Sequence, residues 1–410
     1  MSSTSMHGHW PHASTGTLLI LATTLGLGQT IETAAVGLHH GGLIFLLPLL
    51  ICILLLALPL RMAELALGRR SQRGLIDGMA ALTREADAPR FYRIWSWGAL
   101  AASLLALSLA GLCTGWSLAY LLHLTTSTAA YPLDYTPMQA RWLPLLGIAL
   151  AFVISSICSD RGWLRLPHVL YGLGSLLLLL LLTCLTWSGW PGTVPHVLFQ
   201  GSTWLLAMRL ALLLGAGNLG IWYMAAVYLP RDTQPARFAL LTSMLQLLLV
   251  TLMMIVLQPL NLPDQSGSRL LIVSIPRALA NSSAIHAASF YLSMAIAGIF
   301  AMTALLEPMH RMLIERKMPA RSALLLTATL GLLITGIWLI SFMDLIFTTI
   351  LVILSLLLCL FTGWAMKISH LRKTLNLSSE FMYNLWRVAV RILIPLVLLW
   401  MAIHLRSLGG

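Results

Sequence analysis

Residues 18 to 70 read LLILATTLGLGQTIETAAVGLHHGGLIFLLPLLICILLLALPLRMAELALGRR. The stretch holds two apolar segments of membrane length, and the first is broken at its middle by Gly26, Leu27, Gly28 and Gln29, with Glu32 close behind. Hydrocarbon offers no partner for a free backbone group or a charge. A break at that depth is tolerated only where protein or a water-lined cavity covers it. The stretch is therefore one wall of a buried polar site and not a simple anchor.

The rest of the chain agrees. Of its 410 residues, 59% are hydrophobic and only 9% are charged, and the mean hydropathy of +0.87 excludes a soluble domain of this size. The class is an all-α polytopic membrane protein. A formal charge of +12 raises the question of nucleic acid, but the basic residues sit in short loops beside apolar spans and so set orientation. Cys52, Cys113, Cys158, Cys184 and Cys359 all lie in apolar runs without metal-ligand spacing and read as small core residues. Residues 1–16 read as a flexible tail with neither a basic n-region nor a cleavage site.

Spans of about 20 apolar residues fall near 17–37, 42–68, 94–124, 142–159, 165–187, 202–229, 236–260, 284–314, 322–341, 345–367 and 381–404. Arg69, Arg70, Arg73, Arg84, Arg90 and Arg93 follow span 2, Arg161 and Arg165 follow span 4, and Arg231 and Arg237 follow span 6. Arg316, Lys317 and Arg321 follow span 8, and Lys367, Arg372 and Lys373 follow span 10; the alternate loops hold only Arg141, Arg269 and Arg277. One-sided basic loops put the N-terminus in the cytoplasm and the C-terminus outside. The stretch LIVSIPRALANSS, in the loop before span 8, predicts a short helix over the outer mouth, and residues 74–93 predict an interfacial helix.

Span 6 echoes span 1. Leu25-Gly26-Leu27-Gly28-Gln29 is matched by Leu214-Gly215-Ala216-Gly217-Asn218, with Gly220 after it. Each opens a set of five spans, 17–187 and 202–367, with 381–404 an extra helix. Five is odd, so the two sets lie in the membrane with opposite orientation. Paired broken helices in inverted repeats point to a secondary transporter with its site at the midplane.

Further residues carry a resemblance. Gly26-Leu27-Gly28-Gln29, Gly41-Gly42, Phe45-Leu46-Leu47-Pro48 and Glu64-Leu65-Ala66-Leu67-Gly68 resemble the opening of the neurotransmitter:sodium symporter family. Gly115-Trp116-Ser117-Leu118-Ala119-Tyr120, Leu214-Gly215-Ala216-Gly217, Ile275-Pro276-Arg277-Ala278-Leu279 and Glu307-Pro308-Met309 continue it over about 350 residues. The resemblance implies a five-plus-five inverted repeat with helices 1 and 6 unwound. It also implies sodium-coupled transport of amino acids or amines, two sodium sites and two gates.

Departures from that pattern bear on coupling. The first sodium site would fall to Gln29 and Gln246, whose amides reach one methylene further than the family's asparagines and distort an oxygen cage. At the second site stand Phe300 and Ala301, with no side-chain oxygen, so that site is expected to be lost. Ala110 takes the place of the tyrosine that holds a substrate carboxylate, and Leu213 and Ala216 replace polar or aromatic lining. The expected solute site thus comprises Leu25, Gly26, Gly28, Ala110, Leu210, Leu213, Gly215 and Ala216. At the outer gate Glu32 stands where the family has arginine while Asp344 keeps the acid; Arg209 is the nearest counter-ion. Two neighbouring carboxylates cannot both ionise cheaply, which suits Glu32 to proton exchange; a solvated vestibule residue is the plainer alternative. The resemblance makes Glu64 a support for the loosened backbone, with Arg61 one turn earlier.

The sequence reading is thus a divergent transporter of a small organic solute in a plasma membrane, coupled to protons or facilitative, with sodium doubtful and no other cofactor. The competing reading is a non-transporting subunit of the same fold that binds a partner protein or lipid; a homodimer is also open. No phosphate loop, triad or metal cluster points to an enzyme.

Overall fold

Long apolar segments in hydrocarbon satisfy their backbone groups internally, and helices are how one chain does so segment by segment. The computed structural model describes residues 8–126, 142–160, 163, 166–215, 217–280, 282–340, 344–377 and 379–404. Among these the secondary structure is helical, apart from one isolated bridge between Gly42 and Thr193.

Span 1 is a bent pair, α1 (Ser14–Gly26) and α2 (Gln29–His39), meeting at 60°. There follow α3 (Leu43–Ser71), the interfacial α4 (Leu75–Glu85), α5 (Arg90–Leu124), α6 (Trp142–Asp160) and α7 (Leu166–Cys184). Span 6 is split into α8 (Gly201–Leu214) and α9 (Ile221–Tyr228). Then come α10 (Pro235–Leu260), α11 (Leu270–Leu279), α12 (Ala284–Glu315), α13 (Ala320–Ile340) and α14 (Asp344–Ala365). Last are α15 (Ile368–Leu375) and α16 (Glu380–His404). Seven long apolar helices, the bent pair and shorter apolar helices in spans 4, 6 and 9 fill the eleven expected positions. The chain is an integral membrane protein.

The two breaks share a backbone device. Gly28 (φ +74, ψ 1) precedes α2, and Gly220 (φ +73, ψ 0) precedes α9. Left-handed backbone is accessible to glycine without a Cβ penalty, so each restarts a helix in a new direction. The same turn in the same relative place, five spans apart, is the structural form of the five-plus-five repeat.

Packing holds the broken spans at the centre. α1 lies on α12 and α2 on α10, while α9 packs against α3 and α5 packs against α12. Gly26 backs onto the Ala297 carbonyl and Gly298, an approach that a side chain at 26 would block. The loops rich in arginine meet at one end: Gly74 N–H donates to Glu315 (2.8 Å) and His370 pairs with Glu85 (2.7 Å). This is the basic end of the bundle.

The flexible tail expected over residues 1–16 does not hold throughout. Residues 10–16 are not a free tail, because Trp10 is 2% exposed and α1 already starts at Ser14.

Candidate functional site

The site is built from the span 6 break outward. Residues 217–220 leave backbone donors at the N-terminus of α9, where the helix dipole favours a negative charge. Glu64, fully buried on α3, accepts from the Asn218 backbone N–H. Asn218, at φ +59, donates its side-chain amide to Ser355 Oγ (2.7 Å) and accepts from Trp95 Nε1 (3.3 Å). Trp222 Nε1 donates to the Gly215 carbonyl (2.5 Å). At the other end of α9, Arg69 donates to the carbonyls of Leu229 (3.2 Å) and Pro230 (2.7 Å), which places a cation at a helix C-terminus.

Beside the break stands Arg61, 1% exposed. Its Nη1 donates to Ser243 Oγ (2.5 Å), its guanidinium lies 5.4 Å over the Trp222 ring, and it covers the face of Gly215. One turn beyond Ser243 on α10, Gln246 donates to the Leu214 carbonyl (3.1 Å). Among the described residues, Gln246 Oε1 and both side-chain polar atoms of Gln29 are buried without a hydrogen-bond partner. Orphaned amide oxygens would suit a cation, yet the guanidinium already brings a fixed one to this neighbourhood. Phe300 and Ala301, both buried, offer no donor; Phe300 lines an apolar cleft of about 220 Å³ with Leu21, Ala22 and Leu170. At the two positions expected to hold a second sodium ion there is thus no side-chain oxygen.

At the end opposite the basic loops, Glu32 on α2 and Arg209 on α8 form an ion pair (3.2 Å) with side chains about nine-tenths buried. Asp344, at the start of α14, accepts from Ser268 N–H (3.3 Å) and Ser268 Oγ (2.9 Å), and the Gly267 N–H faces Glu32. Both carboxylates thus flank one turn, with Arg209 against Glu32.

At the span 1 break lies a cavity of about 30 Å³, room for one water. Leu25, Gly26, Gly28 and Ile31 form one wall, Cys113, Trp116, Ser117 and Tyr120 of α5 a second, and Phe290, Tyr291 and Met294 of α12 a third. α11 roofs it through Leu271, Ile272 and Ile275; Tyr120 stacks on Tyr291 (4.9 Å) and its hydroxyl donates to the Ile272 carbonyl (3.2 Å).

The basic end is closed by aromatic rings. Trp10 stacks on Trp163 (5.6 Å) and Tyr228 (5.5 Å), its N–H donates to the Tyr228 carbonyl (2.7 Å) and its Nε1 to the Trp163 carbonyl (2.9 Å). Tyr228 donates to Glu307 (2.5 Å), which also takes Arg311 Nε (2.6 Å).

No family model matches the sequence, and no curated protein does. By structure the chain is similar to MhsT, solved in complex with L-phenylalanine: the TM-score is 0.76, the match covers 97% of this chain and 100% of that one, and identity is 21%. The two chains share one fold. The likeness to MhsT covers nearly the whole chain, both broken spans included, and fits a five-plus-five repeat with α16 outside it. At this identity it carries architecture and not substrate.

The expected site residues divide. Leu25, Gly26 and Gly28 line the cavity; Ala110, Leu210, Leu213 and Gly215 are buried but do not line it; Ala216 lies outside the described residues. The cavity sits further along α5, around Cys113 to Tyr120, than Ala110 implied. Glu32 meets Arg209 directly, while Asp344 stands across the 267–268 turn. Sequence reasoning missed Trp10, Trp163 and Tyr228, and gave Asn218 no task. Only the amide amid the glycines of span 6 signalled the last; nothing periodic signals the aromatic rings.

Proposed function

We propose that the chain is a secondary transporter that moves a small, mostly apolar amino acid or amine by alternating access, coupled through a proton at Glu32 and not through two sodium ions. The observation that carries this is a cavity at the span 1 break, under α11, Tyr120 and Tyr291 on one side, with Trp10, Trp163 and Tyr228 packed together at the other end of the bundle. Broken half-helices present backbone groups to a solute at mid-depth, and rocking of one helix set against the other opens one end at a time. With room for one water, the cavity takes a solute only after α11 and the tyrosine pair move out. The orientation rule makes the basic end cytoplasmic, so that Trp10 belongs to the inner gate.

MhsT was solved with L-phenylalanine, and the apolar lining here supports the same solute as the first to try. The lack of oxygen at Phe300 and Ala301, together with the fixed Arg61 cation, argues against sodium dependence. Exchange of a proton at Glu32 would release Arg209 and loosen the outer cluster.

The test is uptake of labelled L-phenylalanine by the reconstituted full chain, with sodium or choline outside, at about pH 5.5 and about pH 7.5. Uptake that follows the proton gradient, ignores the sodium swap and loses its pH dependence in Glu32→Gln is the expected result. Sodium-dependent uptake overturns the coupling. Neither uptake nor thermal stabilisation by amino acids, with a stoichiometric protein co-purifying, overturns transport and favours the partner-binding subunit.

A further inference from the structure

Well away from this site, at the basic end, a cavity of about 1060 Å³ opens between the end of α14, α15 and the first turns of α16. Its lining includes Lys367, Arg372, Lys373, Arg387 and Arg391, and no carboxylate. Arg372 is engaged by Glu380, and Lys367 approaches Asp87 at 3.7 Å. Among the described residues Lys373, Arg387 and Arg391 have no acidic partner. Three cations without an acidic partner in one concavity offer a site to an anion from outside the chain.

Depth and surroundings select the anion. Arg391 lies eleven residues beyond Glu380, roughly 16 Å along the helix at 1.5 Å per residue. A guanidinium at that depth beside a bilayer reaches back toward the phosphate level. It is held for this: its guanidinium stacks on Trp364 (3.9 Å), whose Nε1 donates to the Arg391 carbonyl (3.3 Å). Trp364 is 58% exposed, with the amphipathic ring of an interfacial tryptophan. Along α16, Leu385, Val388 and Ile392 are each more than half exposed, an apolar flank next to the two arginines. A soluble anion would use the charges and ignore that flank. The cavity is also far larger than a phosphate ion needs.

We propose that this cavity binds the headgroup of an anionic phospholipid from the leaflet at the basic end, with Arg387 and Arg391 on its phosphate and its acyl chains along Leu385, Val388 and Ile392. Basic pockets between membrane helices on that side are built for such headgroups. The lipid would tie α16, which lies outside the two repeats, to the end of α14.

The test uses the purified full chain in neutral detergent, with thermal unfolding and native mass spectrometry as readouts. The probes are phosphatidylglycerol, cardiolipin, phosphatidylcholine and inorganic phosphate. The expected result is stabilisation and retained lipid with the two anionic lipids only. Arg387→Gln and Arg391→Gln should each weaken that binding about fivefold, Arg391→Lys less, and Arg321→Gln in another basic loop not at all. If either glutamine variant fails to fold, Lys373→Gln at the exposed rim reads the same site. Equal binding of phosphatidylcholine, or anionic-lipid binding untouched by these variants, overturns the proposal. An equal shift with inorganic phosphate overturns it too and gives the cavity to a soluble anion.

Discussion

Gly28 and Gly220 are twins in backbone geometry, but their surroundings differ, and this makes a sharp comparison. A Cβ at Gly220 would approach Leu75 at 3.2 Å, a contact that a small side-chain shift relieves. A Cβ at Gly28 would overlap Leu271 of α11 outright. Each alanine carries the left-handed strain of about 1 kcal/mol. Gly28→Ala should cost at least twice as much as Gly220→Ala in thermal unfolding, because it also pushes on the roof of the cavity. It should moreover favour the open outer state, which faster labelling of Cys113 in the cavity wall would report. Equal losses would mean that Leu271 is not seated over Gly28. Both glycines could be read in the sequence, since a glycine-rich break in an apolar span has few other uses. What could not be read is which neighbour fills the missing Cβ, because Leu271 lies more than 240 residues away along the chain.

At the scale of elements, the first helix is latched from its own N-terminal side. Trp10 joins the start of span 1 to Tyr228 at the end of α9 and to Trp163, with one stacked ring and one hydrogen bond to each. Trp10→Ala should open the basic end and so depress the outward-open population. With Cys113 as the sole cysteine, labelling from the opposite side should slow several-fold; faster labelling would refute the latch. Next to it, His9 accepts from Arg231 Nε (3.4 Å), and burial, then the charges of Arg231 and Arg69, lowers its pKa from the usual 6.5. The undocked segment takes up a proton at a pH where the docked one does not, so acid favours undocking as pH falls through 6.5. Proteolytic nicking ahead of α1 should therefore quicken between about pH 7.5 and about pH 5.5 in the native chain and stay flat in His9→Gln. The spans themselves were legible because length and apolarity decide them locally. The latch was not: MSSTSMHGHWPHAS is polar in composition, and the rings that stack on Trp10 come from 163 and 228.

At the scale of the whole molecule, one charged cluster bridges the two repeats at the end opposite the basic loops. Glu32 belongs to the first repeat, whereas Arg209, the 267–268 turn and Asp344 belong to the second. A transporter of this architecture works by moving such parts relative to one another, so a pair that bridges them should set the balance between states as well as stability. That the two charges lie in spans 1 and 6 was readable from the apolar runs around them. Their 3.2 Å contact was not, because the register of one broken helix against another depends on both bends. Removing one member of a buried ion pair strands its partner, at a cost of about 3 kcal/mol, whereas removing both leaves no orphan. Arg209→Met alone should therefore destabilise the chain more than Glu32→Gln with Arg209→Met together, a non-additivity that a thermal double-mutant cycle measures. Asp344 refines the expectation. With Arg209 gone, two carboxylates face each other across one turn, and Asp344→Asn should recover part of the loss. Additive single-mutant costs would mean that solvent already screens the pair, and Glu32 would then be only a hydrated vestibule residue with no part in coupling.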